Sequence, residues 1–110
     1  MRKKAESDAL GLLGLARRAG AVVPGVDGVR RALKGDEVKV VLVARDAAEG
    51  QTAKVKGVLR HREVPVRWVS TRAALGAAVG APELSVVGVT MESFAESLAR
   101  GLPPTGWNAA

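Results

Sequence analysis

The chain has 110 residues, 47% of them hydrophobic and 25% charged, a composition that predicts one folded domain with an ordinary core and excludes general disorder. It contains no cysteine, which excludes disulfides, thiolate metal sites and a cysteine nucleophile and favours an intracellular, cytoplasmic location. Glu6 and Asp8 precede the first apolar run, and no apolar stretch approaches the roughly 20 residues of a membrane span, so we expect a soluble protein without a signal peptide and without a membrane partner.

Positive charge is concentrated in one part of the chain. The net charge is +6, but residues 1–72 hold sixteen basic and eight acidic residues, whereas residues 73–110 hold one basic and three acidic residues. This asymmetry predicts one basic side and favours a polyanionic partner. Net charge alone leaves open the alternative of a protein whose basic surfaces are simply solvated.

Hydrophobic spacing and end signals divide the chain into alternating helices and strands. In chain order we first predict a helix capped by Ser7 and ended by Gly20, a short extended piece at 21–23, and a helix from Pro24-Gly25 to Gly35. A strand at 38–44, a helix at 52–63 and a strand at 66–69 follow. The last three predicted elements are a short helix capped by Thr71 and ended by Gly80, a strand at 85–89, and a helix at 92–100 capped by Thr90. The alternation predicts an α/β fold with a sheet that is at least partly parallel and helices on both faces.

This pattern shows no internal repeat and no linker, so residues 1–100 are predicted to form a single domain. Residues 101–110 contain Pro103, Pro104 and Gly106 without hydrophobic periodicity, and they predict a flexible C-terminal tail. Whether Trp107 docks on the domain or is exposed stays open at this stage.

A search for catalytic and ligand-binding motifs is negative. His61 is the only histidine, it lies between Arg60 and Arg62, and it has no metal-ligand partner at a useful spacing. The chain has no phosphate-loop motif and no Gly-x-Ser-x-Gly elbow. The sequence therefore predicts no catalytic residue, no metal site, no cofactor and no enzymatic function.

The second predicted helix carries a clear basic face. A helical projection separates the apolar residues Val26, Val29 and Leu33 from a polar arc that comprises Asp27, Gly28, Arg30, Arg31 and Lys34. The helix start at Pro24-Gly25 offers unpaired N–H groups to an anion. The open alternative is a solvated surface on which Asp27 pairs with Arg31 at i, i+4.

Several separated segments resemble the ribosomal protein L7Ae family of kink-turn RNA-binding proteins, and in particular its small bacterial, ribosome-associated members. The matching segments are Leu12–Gly20, Gly25 with Arg31-Ala32-Leu33, Val41–Ala47, Val64-Pro65-Val66 and Leu75–Gly80. The resemblance covers residues 9–99. It implies a three-layer α/β/α sandwich with a mixed four-stranded sheet.

The resemblance also implies where RNA would bind. The family grips RNA at the start of the second helix, at the loop after the following strand and at the loop before the last strand. With the basic residues of the second helix, the implied RNA-binding residues are Gly25, Asp27, Gly28, Arg30, Arg31, Lys34, Glu49 (or its neighbour Ala48), Arg72, Pro82, Glu83 and Leu84, with Ala81 at the start of the last loop. Pro82 and Leu84 would give an extruded base an apolar seat.

At three positions the chain departs from the family pattern. Asp27 replaces an asparagine, Gly28 a glutamate and Arg31 a lysine. Asp27 keeps an acceptor but loses the amide donor that helps to read sheared G·A pairs, and Gly28 has no side chain. General RNA affinity is therefore expected to survive better than kink-turn specificity.

These observations lead to two competing functional hypotheses. The first is a non-catalytic protein, monomeric when free, that binds structured RNA, ribosomal or otherwise, and works with or near ribosomal proteins in translation. The second is a protein-interaction module on the same fold that binds an acidic protein, because a fold by itself does not fix a function.

Overall fold

The computed structural model describes residues 2–110, and residue 1 of the predicted domain lies outside this range. The described elements are α1 (Arg2–Arg18), β1 (Val22–Pro24), α2 (Val26–Lys34), β2 (Val40–Val43), α3 (Glu49–Leu59), β3 (Val66–Trp68), α4 (Arg72–Ala78), β4 (Val86–Val89) and α5 (Glu92–Gly101). The strands form one sheet in the order β1-β4-β2-β3. β2 and β3 are parallel, and β4 is antiparallel to both β1 and β2, so the predicted mixed four-stranded sheet is confirmed.

The side chains of β2 show how the sheet divides the core. Val40 and Leu42 belong to one buried cluster, which also contains residues of α1, α4 and α5. Val41 and Val43 belong to the other, which contains residues of α2 and α3. Because successive strand residues face opposite sides, this fully buried run supports two helical layers and the sandwich is three layers thick.

Two helix starts differ from their predicted positions. α1 begins at Arg2 rather than after Ser7, because the added turns are anchored by Glu6, whose Oε1 accepts a hydrogen bond of 2.6 Å from Arg45 Nε. α3 begins at Glu49, and Thr52 lies inside it with its hydroxyl donating to the Glu49 carbonyl. This helix also ends earlier than predicted, at Leu59.

The two predicted threonine caps have different outcomes. Thr71 caps α4 as predicted, since its Oγ1 accepts a hydrogen bond of 3.1 Å from the Ala74 N–H. Thr90 does not cap α5, whose N-cap is Met91 and has no side-chain hydrogen bond. The Thr90 backbone N–H instead donates to the Ala21 carbonyl at 2.8 Å, so this residue extends the contact between β4 and β1.

Residues 103–108, which belong to the segment predicted to be a flexible tail, pack along β3 and the residues before it. The Trp68 N–H donates to the Pro103 carbonyl at 3.0 Å, and the Thr105 N–H donates to the Val66 carbonyl at 3.1 Å. Pro104 thereby forms an antiparallel bridge with Arg67. The segment docks because β3 is an edge strand with backbone groups that would otherwise lack partners.

Side chains of the tail strengthen this docking. Trp107 contacts Trp68 edge-on, with ring centroids 5.7 Å apart, and Lys56 Nζ lies 4.8 Å from the Trp107 ring centroid. Asn108 Nδ2 donates to the carbonyls of Arg62 and Val64. Trp107 is therefore docked and half-buried, which resolves the alternative left open by the sequence.

No helix within residues 2–110 is both long enough and apolar enough to cross a lipid bilayer.

Candidate nucleic-acid interface

Two of the segments implied by the family resemblance meet at one edge of the sheet. β1 ends there and β4 begins there, and the Gly25 N–H donates to the Val86 carbonyl at 3.0 Å. A Cβ placed on Gly25 would lie 4.0 Å from Leu84 Cδ2. The start of α2 and the loop that joins α4 to β4, residues 79–85 (the α4–β4 loop), are therefore direct neighbours.

Gly25 determines the geometry at the start of α2. Its φ is +86°, in the region that favours glycine, and its carbonyl accepts the Val29 N–H at 3.0 Å. No side chain caps this helix end. Because the first N–H groups of a helix have no partner within the helix, this end is suited to an anion.

Gly28 has a packing role that the sequence did not reveal. A Cβ at this position would lie 2.9 Å from Val23 Cγ1, closer than side-chain carbons approach each other in folded proteins. A glutamate at this position, as in the family pattern, would therefore meet Val23 of β1. Asp27, the preceding residue, is exposed.

The basic residues of α2 differ in their surroundings. Arg31 and Lys34 are exposed, whereas Arg30 is half-buried and its buried Nε has no hydrogen-bond partner among the described residues. Lys34 is the last residue of α2, about 13 Å along the helix axis from Gly25, so it lies away from the helix start.

The ion pair between Asp27 and Arg31, which the sequence left open, is not formed. The salt bridges within residues 3–110 do not include Asp27, and they do not include Arg31. Both side chains are exposed and available to a partner.

Arg72 connects three segments of the interface. Its backbone N–H donates to Asp46 Oδ1 at 2.7 Å, and its backbone carbonyl accepts a hydrogen bond from the Leu84 N–H at 3.1 Å. In its side chain, Nε lies 3.6 Å from Asp46 Oδ2 and 3.8 Å from Glu83 Oε2. We call these the Asp46–Arg72–Glu83 cluster. The backbone of Arg72 thus joins the loop after β2 to the α4–β4 loop, while its Nε lies near two carboxylates without a hydrogen-bond partner among the described residues.

Asp46 was not among the predicted site residues, although its position directly after a predicted strand was a signal for it. The hydrogen bond from the Arg72 N–H lowers the pKa of the Asp46 carboxyl from its ordinary 3.8. Desolvation opposes this lowering of the pKa, and the Arg72 guanidinium adds to the lowering with a smaller contribution. The carboxylate is therefore ionised and joins the loop after β2 to the start of α4.

Gly76 fixes the position of the α4–β4 loop. A Cβ on Gly76 would lie 2.0 Å from the Pro82 carbonyl oxygen and 2.9 Å from that of Ala81. Only glycine permits this close approach, and the Ala81 N–H donates to the Gly76 carbonyl at 2.9 Å. Pro82 is consequently held exposed beside Leu84, which is half-buried.

Glu49 lies apart from these contacts. It is the first residue of α3, it is exposed, and its carboxylate forms no ion pair within the described part of the chain. The structure thus joins Gly25, Arg72 and the α4–β4 loop, but it gives Glu49 no contact with them.

A separate cleft of about 730 Å³ lies at the opposite edge of the sheet, where β2 and β3 begin. Its lining includes His61, which is exposed, together with Arg62 and Glu96. Within the described residues, no group of three or more His, Asp or Glu side chains is arranged to hold a metal ion.

Comparison with protein families gives a match over most of the chain. A model of the family described as "Ribosomal protein L7Ae/L30e/S12e/Gadd45 family" matches residues 7–99. RNA-binding protein YlxQ of Bacillus subtilis (strain 168) is 39% identical over 87 residues, which is 79% of this chain and 87% of the relative. RNA-binding protein YlxQ of Enterococcus faecium is 33% identical over 88 residues, which is 80% of this chain and 84% of the relative.

Solved structures give the same picture of the fold. A protein of unknown function from Bacillus halodurans C superposes with a TM-score of 0.79 at 33% identity, covering 84% of this chain and 94% of that one. The 15.5kD RNA binding protein of Giardia lamblia superposes with a TM-score of 0.73 at 16% identity, covering 89% of this chain and 84% of that one. At this low identity the second likeness concerns the fold alone.

Proposed function

Because the chain belongs to the ribosomal protein L7Ae/L30e/S12e/Gadd45 family, we propose that it is a non-catalytic protein that binds structured RNA. The resemblance deduced from the sequence is thereby confirmed at the level of the family. The two curated relatives are both named RNA-binding proteins, which supports the same proposal.

The observation that carries the proposal is the juxtaposition of the α2 start with the α4–β4 loop. Gly25 presents an uncapped helix start, Leu84 presents an apolar side chain next to it, and Arg31 is exposed on the same helix without an ion-pair partner among the described residues. The uncapped helix start suits a phosphate, and the apolar side chain of Leu84 suits an extruded base. The guanidinium of Arg31 suits a second phosphate.

The finer proposal concerns the RNA and the residues that contact it. We place a kink-turn-like bend of a ribosomal or other cellular RNA against the interface, in the cytoplasm and in the neighbourhood of ribosomal proteins, with the free protein monomeric. The proposed contacts are Gly25, Asp27, Gly28, Arg30, Arg31, Lys34, Glu49, Pro82, Glu83 and Leu84. Arg72 joins the loops, and it binds a phosphate only if its guanidinium moves away from the carboxylates of Asp46 and Glu83.

The test is an affinity measurement with a kink-turn RNA and ribosomal RNA fragments at several salt concentrations. Binding should weaken steeply between about 50 and 200 mM salt, and Arg31→Glu should lower the affinity by roughly 10-fold or more and reduce the salt slope. Arg18→Glu, the same charge change at an exposed position of α1, serves as the matched control. Unchanged affinity in Arg31→Glu, or a flat salt dependence, would overturn the proposal.

A pull-down from cells, with and without nuclease, separates this function from the protein-interaction alternative. An RNA-binding protein loses its cargo after nuclease treatment, and sequencing of crosslinked RNA then identifies the target. Cargo that is unchanged by nuclease would favour an acidic protein partner.

A further inference from the structure

We propose that the outer surface of the α2/α3 layer is a second RNA-contact surface, which binds the phosphate backbone of a stem that extends from the primary interface. This inference rests on the proposed RNA binding and adds α3, which neither the sequence nor the family resemblance assigned to that role beyond its first residue. We call this surface the α2/α3 face, and its charged residues are Arg31, Lys34, Lys54 and Arg60.

The two helices are arranged in parallel. β1 and β2 run in the same direction because both are antiparallel to β4. α2 follows β1 and α3 follows β2, so both helices begin at the edge of the sheet that carries the primary interface and run away from it. They pack against each other and share one buried cluster. Their axes are therefore about 8–10 Å apart.

Charge is ordered in the same way along both helices. Each has one carboxylate in its first turn, Asp27 in α2 and Glu49 in α3, and basic residues after it. In α3 these are Lys54 and Lys56, followed by Arg60 at the C-cap. The positive charge of both helices therefore lies beyond their first turns.

Most of these cations are free to bind a partner. Arg31, Lys34, Lys54 and Arg60 are exposed, and none of them forms an ion pair within residues 3–110. Lys56 differs, because its ammonium is placed over the Trp107 ring. The four free cations lie on two helices that pack against each other.

The opposite layer has a different charge distribution. The exposed charges of α5 include Glu92, Glu96 and Arg100, and α4 has no charged residue after Arg72. α1 mixes both signs, and the guanidinium of its Arg17 lies against Gly80, where a Cβ would come within 2.7 Å of it. A stem that leaves the primary interface therefore meets more unpaired positive charge over α2 and α3 than over α4 and α5.

Lysine and arginine side chains spread over such a surface neutralise phosphates without reading bases. The α2/α3 face thus adds affinity and fixes the direction of the stem, while base recognition stays at the start of α2. The consequence is that the affinity depends on the length of the stem as well as on the kink-turn bend.

The test compares Lys54→Gln/Arg60→Gln with Arg18→Gln/Arg100→Gln, which removes two exposed cations from the opposite layer. The probes are a kink-turn RNA with a long flanking stem and the same RNA with that stem cut to a few base pairs. We expect the α3 variant to bind the long-stem RNA roughly 10-fold more weakly with a salt slope lower by about two, and the control variant to bind it like the wild type. With the short stem, the α3 variant should match the wild type.

Each other outcome has a defined meaning. Wild-type affinity of Lys54→Gln/Arg60→Gln for the long-stem RNA, together with a loss in Arg31→Glu, would overturn this inference and leave the proposed function standing. Equal losses in both double variants would also overturn it, because the effect would then be one of net charge. If the wild-type protein binds neither RNA, the proposed function itself fails.

Discussion

The two sides of the primary interface are built by different physical means. The α4–β4 loop is held by the close packing of Gly76 against Pro82. It is also held by backbone hydrogen bonds from the Ala81 N–H to the Gly76 carbonyl and from the Leu84 N–H to the Arg72 carbonyl. The α2 side is open, uncapped and charged, and its Arg31 has no ion-pair partner within the described residues. Packing therefore fixes a shape on one side, whereas the other side has an unpaired charge that is available to an anion.

The difference predicts that substitutions on the two sides fail in different ways. Changes that disturb the loop should alter stability and RNA binding together, since the loop position depends on the folded core. Changes at exposed positions of α2 should alter binding with little effect on stability.

The largest effect is expected for Gly76→Ala. The added methyl group would lie 2.0 Å from the Pro82 carbonyl oxygen, so backbone must move, and we expect the free energy of unfolding to fall by about 3 kcal/mol or more. Urea unfolding measures this loss, and RNA affinity should fall with it because the loop is displaced.

Gly57→Ala is the matched control for that substitution. Gly57 lies inside α3, and a Cβ there would meet no atom within 4 Å. The same change should stabilise the protein by up to about 1 kcal/mol through helix propensity. A similar stability for both variants would contradict the packing role given to Gly76.

A smaller loss is expected for Gly28→Glu, which restores the side chain of the family pattern. Its Cβ would lie 2.9 Å from Val23 Cγ1, and we expect a loss of roughly 1–2 kcal/mol in the free energy of unfolding. Val23→Ala and the double variant Val23→Ala/Gly28→Glu complete a thermodynamic cycle. The two changes should be less costly together than the sum of the single losses, and strict additivity would show that Val23 is not the obstacle.

Asp27→Asn tests recognition on the open side. The amide supplies the donor that the carboxylate lacks, and one added hydrogen bond should raise the preference for a kink-turn RNA over a plain duplex by about 3- to 10-fold with unchanged stability. Asp8→Asn removes an equal charge at an exposed position of α1. If both variants change the preference equally, the effect is electrostatic and the proposed base contact is absent.

The smallest effect concerns the acid stability of the Asp46–Arg72–Glu83 cluster. Because the pKa of Asp46 is lowered by folding, its ionised form stabilises the protein above the ordinary pKa of 3.8, and this contribution is lost as the pH falls through the lowered value. The stability advantage of the wild type over Asp46→Asn should be present at neutral pH and should shrink well below pH 3.8. Urea unfolding over this range measures the difference, and a constant advantage would exclude the carboxylate as its source.

The sequence by itself determined the parts of the protein that depend on local pattern. The β-branched run at Val40–Val43, the helical spacing of Val26, Val29 and Leu33, and the cap at Thr71 are signals within one element. Their alternation was sufficient for the α/β class, and the segments from Leu12 to Gly80 were sufficient for the family.

Only the tertiary structure decided the features that join separate elements. The pairing of Asp46 with Arg72, the contact of Gly28 with Val23, and the docking of Trp107 on Trp68 each require two segments to be placed side by side. Periodicity describes which face of an element is buried, but not what covers it. For this reason no local pattern indicated that residues 103–105 would pair along β3. Nor did any local pattern indicate that Arg72 joins two loops while Arg31 has no ion-pair partner among the described residues.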